Sequence, residues 1–170
     1  QGIVCILGTG SNCSYYDGNQ LFQKVTSLGY IPMDDGSGNF FGRKLIRDYY
    51  FHKMPADLAH KFAKQHDLDA DVIKENLYKQ PNPNTYLATF ARFLIENKDH
   101  PYSKGVIDKG FQQFINNYVM QFELATKVPI NFVGSIAHYL RDELTSVLLR
   151  NDLIVGVIRQ RPIEGLVEFH

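Results

Sequence analysis

No charge of either sign predominates in this chain: 18 lysines and arginines stand against 18 aspartates and glutamates over 170 residues, a formal net charge of zero. That balance argues against a broad nucleic-acid or anionic-membrane surface, because both need clustered cations. No apolar run approaches the roughly 20 residues of a membrane helix. "QGIVCILGTG" has no basic segment ahead of its short apolar run, so Ile3 to Leu7 reads as a strand and not as a signal peptide. Cysteine is scarce. Cys5 and Cys13 are the only two, and neither belongs to a C-x-x-C pair. They suit buried thiols in a reducing compartment, with the cytoplasm expected, and suggest neither a disulfide framework nor a zinc site. The six histidines show no i, i+4 pair or other ligand spacing, so surface histidines are expected in place of a metal site. Ser11 has no local histidine base, which argues against a hydrolase triad. Internal repeats and low-complexity segments are missing.

What is present suits one domain with a real core: 44% hydrophobic and 21% charged residues. The first 30 residues read as a β-meander, with strands at Ile3 to Leu7, Asn12 to Tyr16 and Gln20 to Ser27, and a hairpin signal at Asp17-Gly18-Asn19. "GYIPMDDGSG", 29–38, is a loop by composition. A helix starts near Ser37, where Phe41, Leu45 and Tyr49 recur every four residues. Residues 57–125 are mostly helical. Candidate helices are Asp57 to His66, Asp69 to Lys79 and Thr85 to Asn97, with a prolyl break at "QPNPN". His100-Pro101 starts another turn, and Phe111, Phe114, Ile115, Tyr118, Phe122 and Ala125 then share one apolar face at the helical period. "PINFVGS" is a strand into a glycine turn, followed by a helix bearing Ile136, Ala137, Leu140, Leu144, Val147 and Leu148. "DLIVGVI" is a last strand, and "PIEGLVEF" closes the chain. The pattern predicts an α/β domain with a mixed sheet. Because the chain begins at Gln1 and enters a strand at once, native sequence ahead of it is expected.

Three stretches could carry chemistry. Gly8-Thr9-Gly10-Ser11 follows a strand, as a phosphate loop does, but it is neither Walker A nor the dinucleotide fingerprint. Its glycines let backbone amides approach an anion, and Thr9 and Ser11 add hydroxyls; a tight β-turn needs the same glycines. Asp34-Asp35-Gly36-Ser37-Gly38 offers two carboxylates before a helix, fit either to cap it or to bind sugar hydroxyls. In "FVGSIAHYL", Gly134-Ser135 is either a short turn with Ser135 as N-cap or room for a flat ring against backbone.

Taken in order, "ILGTGSNC", "GYIPMDDGSGNFFG", "NFVGSIAHYL" and "RPIEGLVEFH" resemble the C-terminal half of N-acetylglucosamine kinases, in the BadF/BadG/BcrA/BcrD ATPase family of the actin-like ATPase superfamily. The resemblance covers nearly the whole chain and is loosest in the helical middle. It implies that 1–170 is a ribonuclease H-like C-terminal domain whose mixed sheet starts with a three-strand antiparallel meander, with a helical insertion. It also implies in-line phosphoryl transfer from ATP, with Mg2+, to N-acetylglucosamine or a related sugar. Gly8, Thr9, Gly10 and Ser11 would form the second phosphate loop, and Gly134 and Ser135 the adenosine-motif turn. Asp34, with Gly29, Gly36 and Ser37, would face the sugar. The family's G-W-G and G-D-E-G-S stretches are altered here: Leu28 stands for the tryptophan and Met33-Asp34-Asp35 for Gly-Asp-Glu, which leaves the sugar open. No metal ligand is expected in this chain. The general base and first phosphate loop belong to an N-terminal domain, the implied partner along with ATP and a small sugar; a homodimer stays open, and nucleic acid and membrane are not expected. The other family branch activates dehydratases through an iron–sulfur cluster, and a non-catalytic sensor would keep the cleft without the chemistry.

Overall fold

The computed structural model describes residues 1–161, so all of the closing "RPIEGLVEFH" match but its arginine lies outside the described residues. Five strands form one mixed sheet in the order β3-β2-β1-β4-β5. β1 (Gly2–Leu7) pairs antiparallel with β2 (Ser11–Tyr16) on one side and parallel with β4 (Pro129–Val133) on the other; β5 (Ile154–Arg159) extends the parallel half. Ile3, Cys5 and Leu7 are fully buried and alternate with a half-buried Val4 and an exposed Ile6, so only one face of β1 is sealed. Cys5 and Cys13 stand opposite each other inside this face, sulfurs 3.3 Å apart. Burial, then the Cys13 contact, pushes the Cys5 thiol well up, so it stays protonated. Neither cysteine is exposed as an interfacial cluster ligand would be.

The third strand is shorter than its sequence suggests. β3 is only Leu21–Phe22, paired to Tyr16 and Tyr15 at the sheet edge, not Gln20 to Ser27. Leu21 and Phe22 are both exposed and Val25 is only half-buried, so this segment has no apolar face with which to extend the edge.

Helices fill the crossover between β3 and β4: α1 (Gly38–Tyr50), α2 (Ala56–Gln65), α3 (Ala70–Tyr78), α4 (Pro83–Thr89), α5 (Ala91–Glu96) and α6 (Pro101–Asn117). The first three lie within a residue or so of the predicted spans. Two predicted helices are each broken in two. Phe90 separates α4 from α5, and Leu140 separates α7 (Ser135–Tyr139) from α8 (Arg141–Arg150). Both break residues are buried, so the chain turns there without giving up the apolar contact. The apolar face predicted from Phe111 to Ala125 is buried throughout, but α6 ends at Asn117; Tyr118 and Phe122 flank a 3-10 turn (Val119–Gln121), and Ala125 lies in the turns beyond it. Phe41 and Leu45 of α1, Phe111 and Phe114 of α6, and Phe132 of β4 make the centre of the core, all fully buried. Phe41 meets Phe111 edge-on at 5.7 Å, and Phe114 lies 6.3 Å from Phe132, which ties α6 to the sheet. Each such side chain contributes on the order of 1.5–3 kcal/mol. Among the described residues no helix is long and apolar enough to cross a membrane.

A pH response is built into the helical region. His66 packs its ring 4.8 Å from Phe62 and 4.7 Å from Phe90, and its buried Nε2 has no hydrogen-bond partner. Burial pushes its pKa down, against a smaller upward pull from Glu96. The unfolded chain, with an ordinary value of about 6.5, therefore takes the proton first, and stability falls as pH drops through that range and is regained above it. The melting temperature of His66→Phe is expected to fall less between about pH 7 and pH 5 than that of the unsubstituted chain. Parallel melting curves over that window would refute the assignment.

Candidate functional site

The parallel strands β1 and β4 end at the same edge of the sheet, and the predicted glycine loops leave from there. Ligands in open α/β sheets collect outside such carboxyl ends. β1 passes into Gly8-Thr9-Gly10, a turn closed by the Gly8 amide on the Gly10 carbonyl (3.0 Å) before β2 begins. The start of α1 then captures the outward carbonyls. Gly38 N donates to Gly8 O (2.7 Å), and both Asn39 N (3.0 Å) and Asn39 Nδ2 (2.7 Å) donate to Thr9 O. With the carbonyls committed to α1, the Thr9 and Gly10 amides are left without a hydrogen bond among the described residues. The Thr9 side chain is exposed, and nothing lies within 4 Å of where a Gly8 Cβ would stand. Free amides, a hydroxyl and open space are what an anion requires.

Asp34 sits against the same turn. It is 8% exposed and holds φ +70, a conformation Asp tolerates better than most residues. Its Oδ1 accepts from Ser11 N (3.1 Å) and its Oδ2 from Asn39 Nδ2 (2.8 Å), while its own amide donates to the Tyr118 hydroxyl (3.3 Å). The carboxylate thus fastens the G-T-G-S turn to the D-D-G-S loop. Burial, above all, pushes the Tyr118 phenol up, with the Asp35 and Asp34 charges adding to it against the bond it accepts from the Asp34 amide. The phenol therefore stays neutral beside the carboxylates. Asp35 accepts from Asn117 Nδ2 (2.7 Å).

Other predicted residues take different places. Ser37 is fully buried and is the N-cap of α1, accepting from Phe40 N (3.3 Å). Gly36 is packed against α6, where an added Cβ would stand 3.2 Å from Phe114 Cβ. Gly29 lies outside the cluster, exposed in a turn in which Met33 N donates to its carbonyl. Gly134 abuts the β1 end so closely that an added Cβ would fall on the Leu7 carbonyl. Ser135 is the exposed first residue of α7, with Gly134 in the cap position, so Ser135 is not the N-cap. Sequence reasoning missed Asn39 and Tyr118. An asparagine on the otherwise apolar start of "GNFFG" was the available signal for the first; nothing local marks the second, which reaches Asp34 from 84 residues away. Among the described residues no three His, Cys, Asp or Glu side chains converge.

Solved structures share this architecture. A crystal structure of a candidate N-acetylglucosamine kinase from Porphyromonas gingivalis is 36% identical and matches 99% of this chain and 59% of its own, with a TM-score of 0.93. A second, from Chromobacterium violaceum, is 18% identical, covers 91% of this chain and 55% of its own, and has a TM-score of 0.69; it shows likeness of fold. The chain therefore has a sugar-kinase-like fold and spans about 59% of the length of the first of these proteins. No protein-family model and no curated protein matches it.

Proposed function

We propose that this chain is the nucleotide-binding half of an ATP-dependent sugar kinase, acting on N-acetylglucosamine or a related sugar and built as one ribonuclease H-like jaw of the BadF-type family. The observation that carries this reading is the 36% identity over 99% of the chain to the P. gingivalis candidate kinase, at a TM-score of 0.93. The Thr9 and Gly10 amides at the carboxyl end of β1, without a hydrogen bond among the described residues, support it. In this reading the loop Gly8 to Ser11 grips the terminal phosphates, with Thr9 adding its hydroxyl. Gly134 and Ser135 flank the adenosine. Asp34 offers the lone pairs left over from its two internal bonds to sugar hydroxyls. Gly36 and Ser37 act by fixing the loop that carries it, and Gly29 meets the sugar when the jaws close. ATP, with magnesium bridging its phosphates, supplies the phosphoryl group; positioning and neutralisation of charge are the protein's share. The aligning base belongs to the second jaw.

Titration of the chain with Mg·ADP and Mg·ATP, followed by amide NMR, tests the reading. Both nucleotides are expected to shift the Thr9 and Gly10 resonances saturably. Thr9→Ala, at an exposed position, is expected to keep the melting temperature and to weaken ATP about tenfold, as the loss of one bond to a charged phosphate predicts. Joined to a second jaw, the chain is expected to release ADP in a sugar-dependent way, and alone it should not. Unmoved Thr9 and Gly10 amides, or robust sugar phosphorylation by the chain alone, would overturn the assignment.

A further inference from the structure

A neutral chain concentrates positive charge in one place. Between α1 and α6 runs a groove of about 640 Å3, into which Arg43, Lys44, Arg47, Lys53 and Lys109 project against a single carboxylate, Asp48. The sequence builds it from two helical spacings: 43, 44 and 47 on α1, and 102, 105, 106 and 109 on α6. Asp48 does not neutralise the array. It is 4% exposed and accepts from Lys44 Nζ (2.6 Å) and the Tyr102 hydroxyl (2.7 Å), so its charge is spent on those two partners. Burial, then the bond to Asp48, holds the Tyr102 phenol far above its ordinary value, so it remains a donor.

Among the described residues the other cations of the groove have no acidic partner. Arg43 donates to the Tyr30 and Ile31 carbonyls (3.0 and 2.7 Å), which fixes its guanidinium without cancelling its charge. Arg47 and Lys53 both lie over the Phe51 ring, at 5.2 and 5.8 Å from its centroid. Arg47, Lys53 and Lys109 have no ion pair among the described residues, and all three are exposed. Holding like charges together costs free energy that a bound anion would offset. The remaining wall suits an organic body. Phe40 and Val106 line it, and no atom comes within 4 Å of a Cβ placed on Gly105, so the α6 backbone lies open there.

We propose that this groove binds a small phosphate ester, the phosphate held by Arg47, Lys53 and Lys109 and the organic part against Phe40 and the open backbone at Gly105. Its volume falls within the roughly 300–1,000 Å3 of small-molecule sites. A concave pocket between two helices also differs from the long stripe of cations that a polynucleotide follows. None of Gly8 to Ser11, Asp34, Gly134 or Ser135 lines the groove, so the inference does not depend on the kinase reading.

Amide NMR of the chain with glucose 6-phosphate, glucose and inorganic phosphate as probes tests it. Glucose 6-phosphate is expected to shift Gly105 and Gly110 saturably, inorganic phosphate more weakly, and glucose not at all. The pair Arg47→Glu and Lys109→Glu together should weaken glucose 6-phosphate at least about tenfold with an unchanged circular dichroism spectrum. If that pair melts, Lys53→Glu, in the loop beyond α1, carries the same expectation. Saturable shifts confined to Thr9 and Gly10, equal binding by the charge-reversed chains, or a short single-stranded oligonucleotide binding the groove more tightly than glucose 6-phosphate would each overturn the proposal.

Discussion

Gly134→Ala is expected to destabilise the chain by about 3 kcal/mol or more, a large share of the stability of a domain this size. Two independent costs meet at this residue. Its backbone holds φ +133 and ψ 162, where a side chain is strained by roughly 1–3 kcal/mol even in open space. The space is not open. A Cβ would fall on the Leu7 carbonyl oxygen and 2.9 Å from the Gly8 nitrogen, and these are backbone atoms that no rotamer change can move. Relief requires β1 to part from β4, and that pairing runs from Ile3 with Ile130 to Ile6 with Val133 at the middle of the sheet. Because the displaced carbonyl feeds directly into Gly8, the same substitution should also spoil the amide geometry at Thr9 and Gly10. Ser135→Ala next door, at an exposed position, is the control and is expected to stay within about 0.5 kcal/mol. Urea midpoints of the two chains decide the matter; a Gly134→Ala midpoint as close to the parent as the control would show that the turn relaxes freely.

Much of this architecture could be read from the sequence, where one segment's own pattern decides its state. β1, β2, β4 and β5, and the starts of α1, α2 and α3, follow from apolar periodicity, capping residues and prolines. Errors fall where a neighbour decides. β3 ends at Phe22 because the segment beyond it has no apolar face to lay along the edge of β2, and Phe90 and Leu140 interrupt helices whose apolar period runs straight through them. The loops were recognisable as glycine turns, but their chemistry was not. Asn39, some 30 residues downstream, takes the Thr9 carbonyl, while the Thr9 and Gly10 amides meet no acceptor among the described residues; neither outcome is written in the G-T-G-S stretch itself. Asp34 posed a local choice between helix cap and sugar ligand. The cap is Ser37, and the carboxylate of Asp34 instead joins two loops, a role visible only once both are in place.

That joining role gives Asp34 the second large effect. Asp34→Ala removes both acceptors at once: the Ser11 amide loses its partner and Asn39 Nδ2 keeps only its bond to Thr9 O, leaving its second N–H unpaired, in a setting where Asp34 is 8% and Asn39 0% exposed. Each orphaned donor costs about 1–3 kcal/mol. Alanine must also hold φ +70, which suits it less well than aspartate. A loss of about 3 kcal/mol is expected, with the amide resonances of Thr9, Gly10 and Ser11 broadened or moved as the turn comes away from α1. Asp34→Asn separates bonding from charge. Asparagine tolerates the left-handed backbone and keeps one carbonyl acceptor, so its cost should be about half that of alanine. Under the kinase reading the two substitutions also part in function. Asp34→Asn should retain ATP binding, because the turn stays tied, while sugar-dependent turnover by the two-jawed protein falls, because an amide nitrogen now faces hydroxyls that had an acceptor. Denaturation midpoints for both variants, with ATP titrations of each, test the whole chain of reasoning. Equal and negligible losses in the two would remove Asp34 as the fastener, and a loss of ATP binding in Asp34→Asn at full stability would tie its carboxylate to the nucleotide and not to the acceptor.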